Sequence, residues 1–199
     1  MVCAVLRGMT FTADSYNSFL DLQDKLHQNI CRKRTLVAIG THDLATIRAP
    51  FHYKALAPAE ISFRPLMEDK VFRADHLMRY YEHEKANCKL KPYVKIISTS
   101  PVFPVIYDAN DVVLSLPPII NGDHSKMAGT TKDIFIECTA TDLTKAHIVL
   151  NMMVTMFSPY VTRPFTVESV KVVYLDAQQQ PVKTVVTPDL TCHTFTVSA

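Results

Sequence analysis

Three short segments of this chain concentrate side chains that can hold a polar ligand or move a proton. The first is Glu137-Cys138-Thr139-Ala140-Thr141-Asp142-Leu143-Thr144, where strand-like residues give way to helix-like ones. A helix start leaves four backbone N–H groups without partners and carries partial positive charge, so it can hold a carbonyl or hydroxyl oxygen. Asp142 can accept a hydrogen bond from a ligand there or serve as an ordinary N-cap, and the residue types leave both roles open. The second segment is Asn121-Gly122-Asp123-His124-Ser125-Lys126. A histidine flanked by a carboxylate can act as a general base with its tautomer set by the acid. The plain alternative is a solvated turn whose neighbours point to different sides. The third, His42-Asp43, invites the same pair of readings.

Several chemistries are excluded by what the chain lacks. Its four glycines, Gly8, Gly40, Gly122 and Gly129, never reach the spacing of a Walker loop or a G-x-G-x-x-G turn. The five cysteines are scattered with no C-x-x-C pair, and the histidines have no partners at ligand spacing, so no metal site is expected. No G-x-S-x-G elbow, H-E-x-x-H helix or zinc-deaminase signature occurs. A net charge of +2 is too balanced to imply a nucleic-acid partner by itself. Local patches remain, Arg32-Lys33-Arg34 and the group Lys85, Lys89, Lys91, Lys95, each also readable as a solvated face. No run approaches the roughly 20 apolar residues of a membrane span, and the start lacks the layout of a signal peptide. With unpaired cysteines, the expectation is a cytoplasmic chain with no membrane partner.

Periodicity supplies the elements that must position these residues. Residues 2–6 read as a strand with Gly8 as its exit. Tyr16, Phe19, Leu22, Leu26 and Ile30 line one helical face, with Asp14 or Ser15 as the cap. Residues 35–39 read as a buried strand that ends at Gly40 and releases Thr41, His42 and Asp43 into a loop. Prolines 50, 58 and 65 make residues 49–65 loop-like, and a helix is expected over 74–84. Strands follow at 93–97, 102–107 and 112–116, the last two forming a hairpin, with Pro104 demanding an edge or bulge. Residues 134–140 form a strand that feeds a long helix reaching Phe157. That helix is apolar over most of its circumference and so is buried centrally. Strands at 167–175, 182–186 and 191–197 complete an α+β chain with mixed, mostly antiparallel sheets and about three helices in a single compact domain.

The segments LHQNICRKRTLVAIGTHDLATI (26–47), PVFPVIYDANDVVLSLPPIINGDHSK (101–126) and IFIECTATDLTKAHIVLNMMVTMFS (134–158) closely resemble the β subunit of archaeal and eukaryotic cytosolic phenylalanyl-tRNA synthetase. The resemblance runs from about residue 2 to about residue 175 and falls in that subunit's central editing module. It implies that residues 1–199 are one module excised from a longer β subunit, with 176–199 poorly matched. The parent is implied to be an α2β2 enzyme using ATP and Mg2+ at a synthetic site on the α subunit, whereas this module needs no cofactor. Its implied task is hydrolysis of the ester in tRNA(Phe) mischarged with tyrosine. The alternative is a non-catalytic tRNA-positioning or scaffold module of the same subunit.

The family's T-x-T-D-x-T stretch falls on Thr139, Thr141, Asp142 and Thr144, which the resemblance makes substrate-binding residues, Asp142 and Thr144 foremost. Leu116, Asn121, His124 and Ser125, in the matching P-P-I-I-N-G-D-H-S loop, are the second group. No catalytic residue is implied, because a positioned water assisted by the substrate's own ribose hydroxyl would make the attack. Two positions depart from the family pattern. Ala140 replaces a glycine and would narrow or stiffen the pocket mouth, and Asp111 replaces the glycine of the hairpin turn.

Overall fold

Period-two alternation builds the larger sheet. In β9 (Ile134–Ala140), every residue but the last is buried, so both faces of this strand are covered. The computed structural model describes residues 1–156 and 165–189. Its contacts divide the expected single α+β domain into two compact units, Met1–Asp43 with Met127–Ala199, and Leu44–Lys126.

The first unit is a five-stranded antiparallel sheet. It joins β1 (Val2–Arg7), β2 (Val37–Asp43), β9, β10 (Thr166–Leu175) and β11 (Pro181–Thr187) in the order β11-β10-β1-β9-β2. Two helices, α1 (Ala13–Gln28) and α4 (Leu143–Met156), pack on one face through Phe19, Leu22, Leu26, Val149, Leu150 and Met153. They meet Val2, Ala4, Leu6, Ile39, Ile134, Ile136 and Cys138 of the strands. Thr12 caps α1, since its Oγ1 accepts from the Ser15 N–H while the Ser15 Oγ accepts from the Thr12 N–H. This reciprocal box corrects the expected Asp14 or Ser15 cap, because Ser15 is the third helical residue. The long helix is buried along one side only. Ile148 and Met156 are 41% and 39% exposed.

β2 runs further than expected. Thr41, His42 and Asp43 continue the ladder opposite Ile136, Phe135 and Ile134, so they belong to the strand and not to a loop. The hairpin of β10 and β11 agrees with the sequence reading. The expected strand at 191–197 and the helix end at Phe157 lie outside the described residues.

The second unit holds a four-stranded sheet of β3 (His52–Leu56), β6 (Phe103–Tyr107), β7 (Val113–Leu116) and β8 (Ile120–Asn121), in the order β3-β6-β7-β8. A two-stranded ribbon pairs β4 (Ser62–Phe63) with β5 (Phe72–Arg73), and α2 (Ala74–Arg79) continues into a π turn at Tyr80–Glu84. Two expectations fail here. The stretch 49–65 contains β3, because the gap between Pro50 and Pro58 is long enough for five residues to pair with β6. Residues 93–97 are helical turns, beginning in α3 (Lys91–Val94), where Pro92 sets a helical φ and Tyr93, Val94 and Ile97 reach one apolar cluster. The 102–107 and 112–116 hairpin is present as β6 and β7, with a register shift at Ile106/Tyr107.

Candidate functional site

The junction of β9 and α4 assembles the foremost candidates. Thr139 is buried on β9 opposite Ala38, while Thr141, Asp142 and Thr144 are exposed around the first turn of α4. The Thr141 N–H donates to the Leu36 carbonyl at 3.1 Å, which ties the junction to the residue preceding β2. Asp142 Oδ1 accepts from the Lys145 N–H at 3.0 Å and the Asp142 carbonyl accepts from the Ala146 N–H at 3.0 Å, so Asp142 is the N-cap of α4. The cap uses one carboxylate oxygen. An incoming donor would therefore meet a carboxylate already fixed by the helix start.

The second group forms its own cluster in the other unit. Leu116 is buried at the end of β7, paired with Ile120, and Asn121 pairs with Ser115. Gly122 allows the close return of the chain: a Cβ there would stand 2.5 Å from the Val113 carbonyl oxygen. A 3₁₀ turn, Asp123–Ser125, follows, and the buried Ser125 Oγ donates to the Gly122 carbonyl at 3.3 Å. His124 is half-buried, and its Nε2 has no hydrogen-bond partner among the described residues. Burial lowers the His124 pKa against the opposing pull of Asp108 and Asp123, so its ring is neutral near pH 7.

Neither acid–base pair suggested by sequence adjacency forms. The Asp123 carboxylate is engaged by Arg64, by the Met67 N–H at 3.3 Å and by Lys126 at 3.4 Å. Burial raises its pKa, and those partners outweigh the burial and hold it below the usual range. His42 and Asp43 are successive strand residues and face opposite sides. His42 lies fully buried, 6.1 Å from the Phe135 ring, while Asp43 accepts from Thr131 Oγ1 at 2.7 Å.

The sheet face that carries His42 holds groups to which the sequence reading assigned no role of their own. Glu137, 2% exposed, sits mid-strand on β9, opposite Cys3 of β1 and Gly40 of β2. A Cβ at Gly40 would stand 2.3 Å from Glu137 Oε1, so the glycine is what lets the carboxylate lie across the neighbouring strand. One signal was legible, the single acid inside the apolar run IFIECTA. Glu137, Gly40, His42 and Thr139 line one buried polar layer, in which a carboxylate makes stronger hydrogen bonds than in water. His27 was overlooked. Its Nε2 accepts from the Ile39 N–H at 2.9 Å, and burial, with Arg34 nearby, lowers its pKa to about 3.

Three buried thiols are held protonated and unreactive. Burial raises the pKa of Cys3 and Cys138 far above the usual value and that of Cys31 to about 12. No cluster of three metal-ligating side chains occurs among the described residues. A groove of about 370 Å³ lined by Lys70, Phe72, Arg73, His76, Arg79 and Tyr80 contains none of the predicted residues.

Comparison with known proteins bears on the chain as a whole. Residues 9–179 match the model of the B3/4 domain. The cytoplasmic phenylalanine–tRNA ligase β subunit of Arabidopsis thaliana is 58% identical over 197 residues, 99% of this chain and 32% of that protein. The β subunit of Homo sapiens is 58% identical over 173 residues, 87% of this chain and 29% of that protein. The chain thus spans under a third of the length of these relatives. The crystal structure of an N-terminal fragment of the phenylalanyl-tRNA synthetase β subunit from Pyrococcus horikoshii superposes with a TM-score of 0.81 at 31% identity, covering 94% of this chain and 50% of that one. The resemblance seen in the 26–47, 101–126 and 134–158 segments therefore holds over nearly the whole chain, and the chain belongs to the B3/4-domain family of phenylalanine–tRNA ligase β subunits.

Proposed function

We propose that this chain is a hydrolytic editing module, which removes tyrosine from mischarged tRNA(Phe) within a cytoplasmic phenylalanine–tRNA ligase. The observation that carries the reading is the junction of β9 and α4, where Thr139, Thr141, Asp142 and Thr144 gather at a helix start in a chain of this family. A synthetic pocket shaped for the phenylalanine ring rejects tyrosine only by the fit of one hydroxyl, so a second test of that hydroxyl gains accuracy. A site that hydrogen-bonds the hydroxyl leaves its own polar groups unpaired when phenylalanine enters, and the correct ester escapes. The buried layer of Glu137, His42 and Thr139 supplies polar groups of the kind such a test needs.

Hydrolysis requires a water oxygen to bond to the ester carbonyl carbon, the bond to the ribose oxygen to break, and a proton to pass to that oxygen. The exposed helix start supplies amide donors and a positive end for the developing negative charge on the carbonyl oxygen. The vicinal ribose hydroxyl of the substrate orients the water, and no side chain serves as nucleophile. In this reading an α subunit completes the enzyme, and ATP and Mg2+ serve its synthetic site.

The test is tyrosine release from Tyr-tRNA(Phe) by the full-length subunit with its α partner. Asp142→Asn keeps the cap, since asparagine caps as well as aspartate. We expect it to slow release at least tenfold, with Asp142→Ala slower still. Unchanged release in both variants would overturn the site. A second reading, a non-catalytic tRNA-positioning module, draws on the cap itself, which already occupies one Asp142 oxygen. It requires the parent complex to release no tyrosine faster than free solution does.

A further inference from the structure

Between α1 and β2 the chain turns through Arg32, Lys33 and Arg34 at φ 49°, 52° and 66°. Three successive side-chain-bearing residues thus sit in the left-handed region, where glycine or asparagine is comfortable and long side chains are not. Every other positive-φ residue described in the chain stands alone. The turn is closed tightly. The Thr35 N–H and Oγ1 both donate to the Arg32 carbonyl, at 3.2 and 2.7 Å, and the Leu36 N–H donates to the carbonyl of the buried Cys31 at 3.2 Å. Nothing in this backbone geometry calls for cations. Arg32 and Lys33 are exposed, and neither forms an ion pair with a described carboxylate. In the other basic patch, Lys85 is held by Glu68.

Its position gives the turn a use. Leu36, two residues on, accepts the Thr141 N–H, and Val37 pairs with Ala140. Chain geometry then keeps the Arg34 Cα within about 15 Å of Ala140. Arginine and lysine side chains add several ångströms of reach, enough to span neighbouring phosphates of a strand whose end lies at the junction. We propose that Arg32-Lys33-Arg34 is a preformed phosphate clamp that holds the RNA backbone leading to the β9–α4 junction, an inference that rests on the editing reading for what lies at that strand's end. Backbone strain held at a rigid turn costs the fold stability, and fixed cations lose less freedom on meeting phosphates than cations on a flexible loop would.

The test uses the full-length subunit with its α partner and the double variant Arg32→Asn, Lys33→Asn, in which asparagine tolerates the left-handed backbone. We expect the Kd for tRNA(Phe) at about 0.1 M salt to rise about tenfold. The slope of log K against log salt should become shallower by about 1 to 2, as for two lost single-strand phosphate contacts. KM for Tyr-tRNA(Phe) hydrolysis should rise in step while kcat holds. The charge-conserving pair Arg32→Lys, Lys33→Arg should bind as the parent does, and the thermal midpoint of the asparagine pair should be unchanged or higher. An unchanged Kd and salt slope would overturn the clamp, as would a weakened Kd accompanied by a lower midpoint. Failure of the editing reading shows separately, as a parent complex that binds tRNA but releases no tyrosine.

Discussion

The two faces of β9 differ in what they carry. On one, Ile134, Ile136 and Cys138 meet α1 and α4 in an apolar core, where the polar groups His27 and Thr41 are engaged locally, by the Ile39 N–H and by Gln23 of α1. On the other, Phe135, Glu137 and Thr139 alternate with them, beside Gly40, His42 and Cys3, in a layer just as buried but rich in polar atoms. Burying apolar surface contributes stability, whereas burying Glu137 and His42 costs it unless their hydrogen bonds are made. The comparison teaches that one strand can bury an apolar face and a polar face at once, residue by residue.

Ile136→Ala on the apolar face should produce the largest effect, a loss of about 2–5 kcal/mol in denaturant unfolding. Activity per folded molecule should stay as it was. A large loss of specific activity at full folding would break the division between the faces.

Gly40→Ala strikes the polar face instead. Its Cβ meets Glu137 Oε1 at 2.3 Å, and the buried carboxylate has no solvent to swing into. A cost of about 1–3 kcal/mol is expected. Discrimination between tyrosyl and phenylalanyl esters should fall by more than stability alone explains, as read by paired deacylation assays.

His27 tests the apolar face by pH. Its folded pKa of about 3 lies below the ordinary 6.5, so between those values the unfolded chain binds a proton that the folded chain refuses. Stability from this group is therefore complete above about pH 6.5 and declines as the pH falls, by up to about 1.4 kcal/mol per unit. His27→Gln should flatten that slope in urea titrations between pH 7 and 5. An identical slope in the variant would assign the pH dependence elsewhere.

The smallest effect lies away from both faces. Asp111 closes the β6–β7 hairpin at φ 55°, a conformation that favours glycine. Relief of its side-chain strain by Asp111→Gly should stabilise the chain by at most about 0.4–1 kcal/mol, glycine's greater freedom when unfolded offsetting part of the gain. Thermal unfolding would detect it. A shift as large as that of Ile136→Ala would mean that turn geometry rivals core packing here.

Residue order alone determined the parts whose physics is local. Alternation in IFIECTA identified β9, the three- and four-residue spacing of Phe19, Leu22 and Leu26 identified α1, and the residue types at Thr139 to Thr144 marked a helix start with polar side chains. The resemblance to one synthetase subunit was legible in the same letters. Tertiary structure decided what no window of residues contains. It extended β2 through Thr41, His42 and Asp43 because β9 continued to pair with them, and it folded residues 91–98 into helical turns despite their β-branched side chains. It separated His42 from Asp43 and took Asp123 away from His124, because neighbours in sequence point apart while the partners of a carboxylate come from elsewhere in the chain. Gly40 became informative only through Glu137, nearly a hundred positions away, since close approach between strands is a property of the sheet and not of either residue.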